Sequence, residues 1–121
     1  MNQTMAGDHT AHNKNMQSCI EACNHCHASC LHTAMMHCLE MGGAHVEATH
    51  FRLMMDCAAI CQTSASMQLS GSSFHQALCT ICADICEACA KSCETVGGMD
   101  ACVKACHDCA ASCRKMSAKA G

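Results

Sequence analysis

Cys79, Cys82, Cys86, Cys89 and Cys93 follow one another at alternating steps of three and four residues. That rhythm belongs to an α-helix. At about 100° per residue the five thiols stay within an arc of roughly 80° and climb about 21 Å. One face of one helix is therefore lined with sulfur. The device recurs twice as C-x3-C-x2-C-x3-C, at Cys19, Cys23, Cys26 and Cys30 and again at Cys102, Cys106, Cys109 and Cys113. A fourth stretch carries Cys57 and Cys61, four residues apart. A chain with these faces has to form helices and turn them toward a shared interior.

Glycine pairs and polar turns divide the sequence between the faces. The spacing predicts helices over 13–41, 45–69, 74–96 and 100–118. Gly42-Gly43 and Gly97-Gly98 act as C-terminal stops, and 70–73 forms a Ser/Gly turn. Ser73 with Gln76 matches a capping box for the third helix, and Asp100 stands near the positive end of the fourth. Three short turns between four long helices predict an all-α fold, an antiparallel up-down-up-down four-helix bundle with a cysteine-lined core. Residues 13–118 form one domain in this reading, and 1–12, polar with His9 and His12, a flexible leader.

The inner stripe of the first helix is expected to pass from Cys30 through Thr33 or Ala34 to His37 and Met41, with Cys38 flanking it. That of the second runs through His50, Met54, Cys57, Cys61 and Ser64 or Ala65. Ile20, Leu31, Ile60, Ile81, Ile85 and Val103 each neighbour a cysteine and are expected in the seams between helices. His25, His27, His32 and His107 fall off the stripes, on the solvent side. The topology gathers His37, Cys38, Met41, His45, His50, Met54, Cys93, Met99 and Cys102 at one end, which looks like a mouth. Met16, Cys19, His75, Cys79, Cys113 and Met116 gather at the other.

The inward positions are mostly Cys and Ala, and the chain has two Phe and no Trp or Tyr. A conventional core of this size draws on Leu, Ile, Val and Phe, so something else holds the interior together. Sixteen cysteines in 121 residues would ordinarily suggest a disulfide scaffold. Such scaffolds are loop-rich, whereas this chain has no proline and keeps its cysteines in helical register. Neighbours on one regular helix also do not readily supply disulfide geometry. The formal charge of −3, with no basic patch, argues against nucleic-acid and anionic-membrane partners. Apolar runs are too short to cross a bilayer. Residues 1–15 carry no hydrophobic export core, so the cytoplasm is the expected location. No nucleophile, base and orienting group come together in the sequence, and an enzyme is not expected.

Thiolates are soft ligands that select Cu(I), zinc or iron–sulfur clusters. Zinc favours separate tetrahedral sites, and a continuous ladder of thiols does not divide naturally into tetrahedra. Cu(I) accepts two or three sulfurs, and one thiolate can bridge two ions. Sixteen buried thiolates alone would be prohibitively costly, since each unpaired buried charge carries a penalty of several kcal/mol. One monovalent cation per thiolate leaves the interior near neutral. Zinc at one ion per four thiolates would leave half the charge. The expected ligands are therefore Cys19, Cys23, Cys26, Cys30, Cys38, Cys57, Cys61, Cys79, Cys82, Cys86, Cys89, Cys93, Cys102, Cys106, Cys109 and Cys113. The expected cofactor is Cu(I), many ions per chain, with neutral Met and His ligands such as Met54 passing it inward from the mouth.

Other patterns carry less. Cys23-x-x-Cys26-His27 has the spacing of a c-type haem attachment site, but lies inside a longer thiol stripe. Glu47-x-x-His50 is half of a di-iron carboxylate motif, with no second copy. A zinc or mixed-metal thiolate buffer, or a thiol redox protein using C-x-x-C pairs, is the alternative reading.

The cysteine-lined helices, the motif His37-Cys38-Leu39-Glu40-Met41 and the run Cys79-Thr80-Ile81-Cys82-Ala83-Asp84-Ile85-Cys86-Glu87-Ala88-Cys89 resemble the bacterial copper storage proteins. The resemblance spans about residues 16–116. It implies a four-helix bundle holding many Cu(I) ions, association as a homo-oligomer, commonly a tetramer, and a copper chaperone or acceptor as partner. It also implies that His37 and Met41 coordinate copper at the open end, and that the chain is of the cytosolic type.

Overall fold

A computed structural model describes the backbone of residues 6–118 and the side chains of 14–117. Residues 1–5 of the expected leader lie outside the described residues, and helix is already present from Ala6. Four helices follow in order: α1, Ala6–Thr33; α2, Ala48–Leu69; α3, His75–Val96; and α4, Asp100–Ala118. Helix α1 continues through a π-helical turn, Ala34–Cys38, and a final α turn, Leu39–Met41. A 3-10 turn, Gly43–Val46, leads into α2, so that helix starts three residues later than its sequence suggests.

Helix α1 packs beside α2 and α4, and α3 packs beside the same two. The helices thus stand in a ring in chain order, each with one face on the central axis. The cysteine stripes occupy those faces. All sixteen cysteines are buried, none more than 1% exposed. Ala34, Ala58, Ala83, Ala90, Ala105 and Ala110 are buried among them, and their small side chains let the helices approach. Ile20, Leu31, Ile60, Ile85 and Val103 fill the seams as expected, joined by Phe51 and Leu53. Ile81 does not: it is 49% exposed.

Helix ends show which local signals were used. Helix α2 starts at Glu47, whose carboxylate accepts from the His50 backbone N–H at 3.0 Å. This spends the glutamate of the Glu47-x-x-His50 pattern on capping. At the other end of α2 the Ser72 N–H reaches the Met67 carbonyl and the Gly71 N–H reaches that of Gln68, a Schellman closure with Gly71 at φ 70°. The expected Ser73/Gln76 capping box does not form. Phe74 holds the N-cap position without a side-chain bond, and Ser72 Oγ accepts from the Phe74 N–H at 3.0 Å. The Schellman turn leaves Ser72, one residue early, facing the free amides.

The π turn changes the inner stripe of α1. An i→i+5 turn advances less per residue than an α turn. Cys38 is thereby brought onto the axis, fully buried, instead of flanking it. The stripe therefore passes through Ala34 and Cys38, leaving His37 half-buried and Met41 60% exposed.

Two glycines make the turns at the mouth end possible. Gly42 sits at φ 68°, ψ −160° and Gly97 at φ 89°, ψ 160°, a region essentially closed to residues with a Cβ. A Cβ on Gly97 would meet no heavy atom within 4 Å, so replacing it tests backbone strain alone. Gly97→Ala should lower the stability of the reduced metal-free protein by about 1–3 kcal/mol in urea unfolding, with little change in helical circular dichroism.

Candidate metal centre

The thiols form one connected column along the bundle axis. At the end away from the mouth, Cys19, Cys79 and Cys113 have their sulfurs within 4.8 Å of one another. Four-thiol groups of the same compactness follow: Cys23 with Cys82, Cys109 and Cys113; Cys61 with Cys82, Cys86 and Cys109; Cys26 with Cys57, Cys61 and Cys86; and Cys26 with Cys30, Cys57 and Cys106. Successive groups share members. Cys113, Cys82, Cys109, Cys61, Cys86, Cys26 and Cys57 each belong to two. Sγ–Sγ contacts run from 3.4 Å between Cys30 and Cys102 to 4.0 Å between Cys82 and Cys109. A disulfide needs about 2.05 Å, and every cysteine is free. The disulfide scaffold is excluded among the described residues.

The helical period explains the cross-links. Pairs at i, i+4 on one helix, Cys19–Cys23, Cys26–Cys30 and Cys82–Cys86, lie 3.9 Å apart. Contacts between helices are as short or shorter: Cys23–Cys109 at 3.5 Å, Cys61–Cys86 at 3.5 Å and Cys26–Cys57 at 3.7 Å. A soft ion placed at any level meets sulfur from more than one helix.

Such crowding couples the protons. Hydrogen bonds with Cys106 and Cys30 hold the Cys102 thiol down at about 5. Bonds with Cys106, Cys109, Cys30 and Cys57 likewise pull Cys26 down. Their partners move the other way: contact with Cys102 raises Cys106, and contact with Cys109 raises Cys61 and Cys113. Physically, one thiolate is stabilised by the S–H groups aimed at it, and those donors must then keep their protons. Burial, then the nearby charges of Cys102 and Cys89, raises Cys38. For Cys79 the Cys113 bond pulls down, but contact with Cys19 and burial outweigh it and push the thiol up to about 11. The thiols of the metal-free column thus oppose one another's ionisation.

At the mouth the ligand type changes. Cys38 Sγ lies 3.6 Å from Met54 Sδ and 3.5 Å from Met99 Sδ, and all three residues are buried. His50, only 3% exposed, has Nδ1 2.7 Å from Ser92 Oγ, while its buried Nε2 has no partner. With the proton on Nδ1 donated to Ser92, the Nε2 lone pair is free, which is how a ligating imidazole is usually oriented. His37 and His45 meet edge to face with ring centroids 5.1 Å apart, and His37 Nε2 and His45 Nδ1 are buried without partners. Met41, expected beside His37, points outward. The sequence places Met99 and His50 at the mouth without naming them among the ligands. For His50 the signal was there, four residues before Met54 on the same stripe. Met99 lies in the turn before α4, where periodicity says nothing.

The opposite end holds the other departure. Cys57 and Cys61 are followed on the α2 stripe by Ser64 and Gln68, both fully or almost fully buried. Gln68 Nε2 donates to Cys19 Sγ at 3.4 Å and to Ser64 Oγ at 3.2 Å. Ser64 Oγ is 3.7 Å from Cys23 Sγ and 3.8 Å from Cys79 Sγ. On the outside, His25, His32 and His107 are exposed, but His27 is half-buried with Nδ1 2.8 Å from the Ala58 carbonyl. It clamps α1 to α2 while Cys23 and Cys26 face the opposite way, which removes the haem reading.

Comparison with known proteins agrees with this geometry. A family model described as copper storage protein matches residues 8–118. A crystal structure of a protein from Nitrosospira multiformis is 60% identical, with a TM-score of 0.87 over 88% of this chain and 98% of that one. The structure of a Cu(I)-bound copper storage protein, BsCsp3, is 38% identical with a TM-score of 0.79, covering 85% of this chain and 98% of its own. The cysteine-rich protein YhjQ of Bacillus subtilis (strain 168) is 39% identical over 102 residues, 83% of this chain and 87% of that protein. With its fold, its buried sulfur column and nearly its whole length matched, the chain belongs to the copper storage protein family.

Proposed function

We propose that this protein binds and stores many Cu(I) ions inside the bundle, on the sixteen cysteines of the axis, with the methionines and histidines of the mouth admitting them. The observation that carries the reading is the continuity of the sulfur column: groups overlap, so thiolates bridge instead of closing off separate sites. Each metal ion that enters releases thiol protons to solvent and brings one positive charge per thiolate, which removes the electrostatic obstacle to ionising the whole core. The result is a cargo held away from water and from oxidants.

The mouth supports a stepwise entry. Met54 and Met99 offer neutral thioethers beside the single thiol of Cys38, and His50 and His37 offer unpartnered ring nitrogens. These weaker ligands can hold Cu(I) briefly and give it up to the thiolates below. Met41, exposed at the rim, suits first contact with a copper chaperone or acceptor. Free thiols 3.4–4.0 Å apart need a reducing compartment, which favours the cytoplasm. The bundle domain is taken as 13–118 with 1–12 as its leader, of which 6–12 continue α1. Exposed Leu69, Phe74 and Ile81 are consistent with a homo-oligomer, a tetramer by family resemblance. The role is binding and storage, not catalysis.

A zinc or mixed-metal buffer is the second reading, because any one four-thiol group has the compactness of a tetrahedral site. Shared membership decides against it: filling Cys61, Cys82, Cys86 and Cys109 with one zinc breaks both neighbouring groups.

Two outcomes follow. Anaerobic titration of the reduced protein against a colorimetric Cu(I) chelator should show uptake approaching one ion per cysteine, and Cys61→Ser with Cys86→Ser should remove bound copper without unfolding the bundle. Saturation at only a few ions would defeat bulk storage. The second outcome concerns pH. Cys38 and Cys79 are raised above the ordinary thiol value of 9.0, so the folded chain keeps protons that the unfolded chain releases. Their stabilisation is complete below pH 9 and is lost as pH climbs toward 11, whereas groups held low, such as Cys102, already contribute in full there. The thermal midpoint of the metal-free protein should therefore fall between pH 9 and 11, and that of the copper-loaded protein, its thiol protons already gone, should not.

A further inference from the structure

The α2 stripe repeats the register of the other helices with two letters changed. Cys57-x3-Cys61-x2-Ser64-x3-Gln68 has the spacing of Cys19-x3-Cys23-x2-Cys26-x3-Cys30. The third and fourth thiol positions hold a hydroxyl and a primary amide. Both point at sulfur, and both are as buried as the cysteines they stand in for.

We infer that Ser64 and Gln68 form a hydrogen-bond cap on the closed end of the sulfur column, and that they position and stabilise the copper-bearing thiolates of Cys19, Cys23 and Cys79 without ligating copper themselves. The inference rests on the storage reading and deepens it.

The donor geometry favours thiolates. Gln68 Nε2 aims its hydrogens at Cys19 Sγ, 3.4 Å away, and at Ser64 Oγ, 3.2 Å away, while Cys23 Sγ lies 4.0 Å off. A neutral thiol is a weak acceptor, and a thiolate is a strong one. Meanwhile Gln68 Oε1 is buried with no partner. Amide oxygen and hydroxyl are hard donors, poorly matched to Cu(I). Gln68 supplies N–H to Cys19, and Ser64, which accepts from Gln68 and from Cys23, has its one O–H to give to Cys79.

The local ligand count gives the reason. Where α2 supplies oxygen and nitrogen instead of sulfur, the terminal group is a three-thiol one, Cys19, Cys79 and Cys113, with Cys23 3.9 Å from Cys19. One Cu(I) held by three thiolates is an anionic unit in a buried place. Donors directed at those sulfurs spread the excess charge. At the mouth the ligands change to neutral thioethers instead. The two ends thus solve one charge problem in opposite ways: fewer negative ligands at the entrance, more hydrogen bonds at the base. Copper at the base is then the copper released last.

The test loads the full reduced chain with Cu(I) and follows its removal by excess bathocuproine disulfonate, comparing the parent with Gln68→Leu, Ser64→Ala and the double variant. Gln68→Leu keeps the bulk and deletes the donors. The expected result is a 10–100-fold faster slow phase confined to the last ions to leave, with early phases, total uptake and metal-free helical content as in the parent. Ser64→Ala should act less strongly, and the two changes should combine non-additively because the groups bond each other. Loading should also shift the Gln68 side-chain amide proton resonances of isotope-labelled parent. A Gln68→Leu protein that is folded and releases every ion as the parent does would overturn the cap. So would a uniform acceleration of all phases together with a lower metal-free melting point, the mark of a merely structural role. A parent that saturates at a few ions would instead bring down the storage reading, and the cap with it.

Discussion

Everything in this bundle follows from the need to bury sulfur that must also ionise. An apolar core is neutral whatever its occupancy, but a core of thiolates is stable only when its charge is matched ion for ion. Helices suit that demand because they satisfy their own backbone hydrogen bonds, leaving the interior free for side chains. Their period also sets sulfur at steps of three and four along one face. The buried alanines complete the arrangement: Ala83 and Ala90 alternate with the thiols of α3, and Ala105 and Ala110 with those of α4. They keep the helices close enough for sulfurs of different helices to meet at 3.4–4.0 Å.

The same constraint explains why the ends of the column differ from its middle. In the middle, α2 and its neighbours give enough thiols that each group shares members with the next. At the mouth the π turn rotates Cys38 inward and brings one thiol to two thioethers, a set with less charge to balance. A regular α turn there would have put Met41 on the axis and Cys38 beside it. The irregular turn therefore decides which sulfur stands at the entrance, and π turns are known to gather at functional places.

The four helices, their order and the inward sulfur were legible because they rest on period and on glycine, both local to the sequence. Cys79 to Cys93 could not have been anything but one helical face. What escaped depends on neighbours in space. The rotation of Cys38 needs the π turn, and no propensity marks Ala34–Cys38 as one. The capping box at Ser73 was a sound local pattern, overridden when the Schellman closure at Gly71 fixed Ser72 in its place. Adjacency to a cysteine placed Ile81 and Ile85 alike in the seams, yet Ile81 is exposed while Ile85, in the same relation to Cys86, is packed. Met99 was expected at the mouth, but its contact with Cys38 comes from a turn that carries no period. Ser64 was on the expected stripe, yet its partner Gln68 became visible only when both were seen against Cys19.

An asymmetric column also implies a direction. A tube of identical thiols would have no reason to fill or empty from one side, since an ion could leave any level at equal cost. On the proposed reading, thioethers and imidazoles at one end would bind more weakly and exchange faster, while amide and hydroxyl donors at the other would make the last thiolates easier to hold charged. Between them, overlapping groups let an ion move by exchanging one sulfur at a time, never passing through an uncoordinated state. The gradient in ligand chemistry runs along the axis and the helices hold it fixed. The sequence changes that create it are few: a methionine at 54 and at 99, a serine at 64 and a glutamine at 68. Met54, Ser64 and Gln68 stand on the α2 stripe in register with Cys57 and Cys61, and Met99 reaches the axis from the turn before α4.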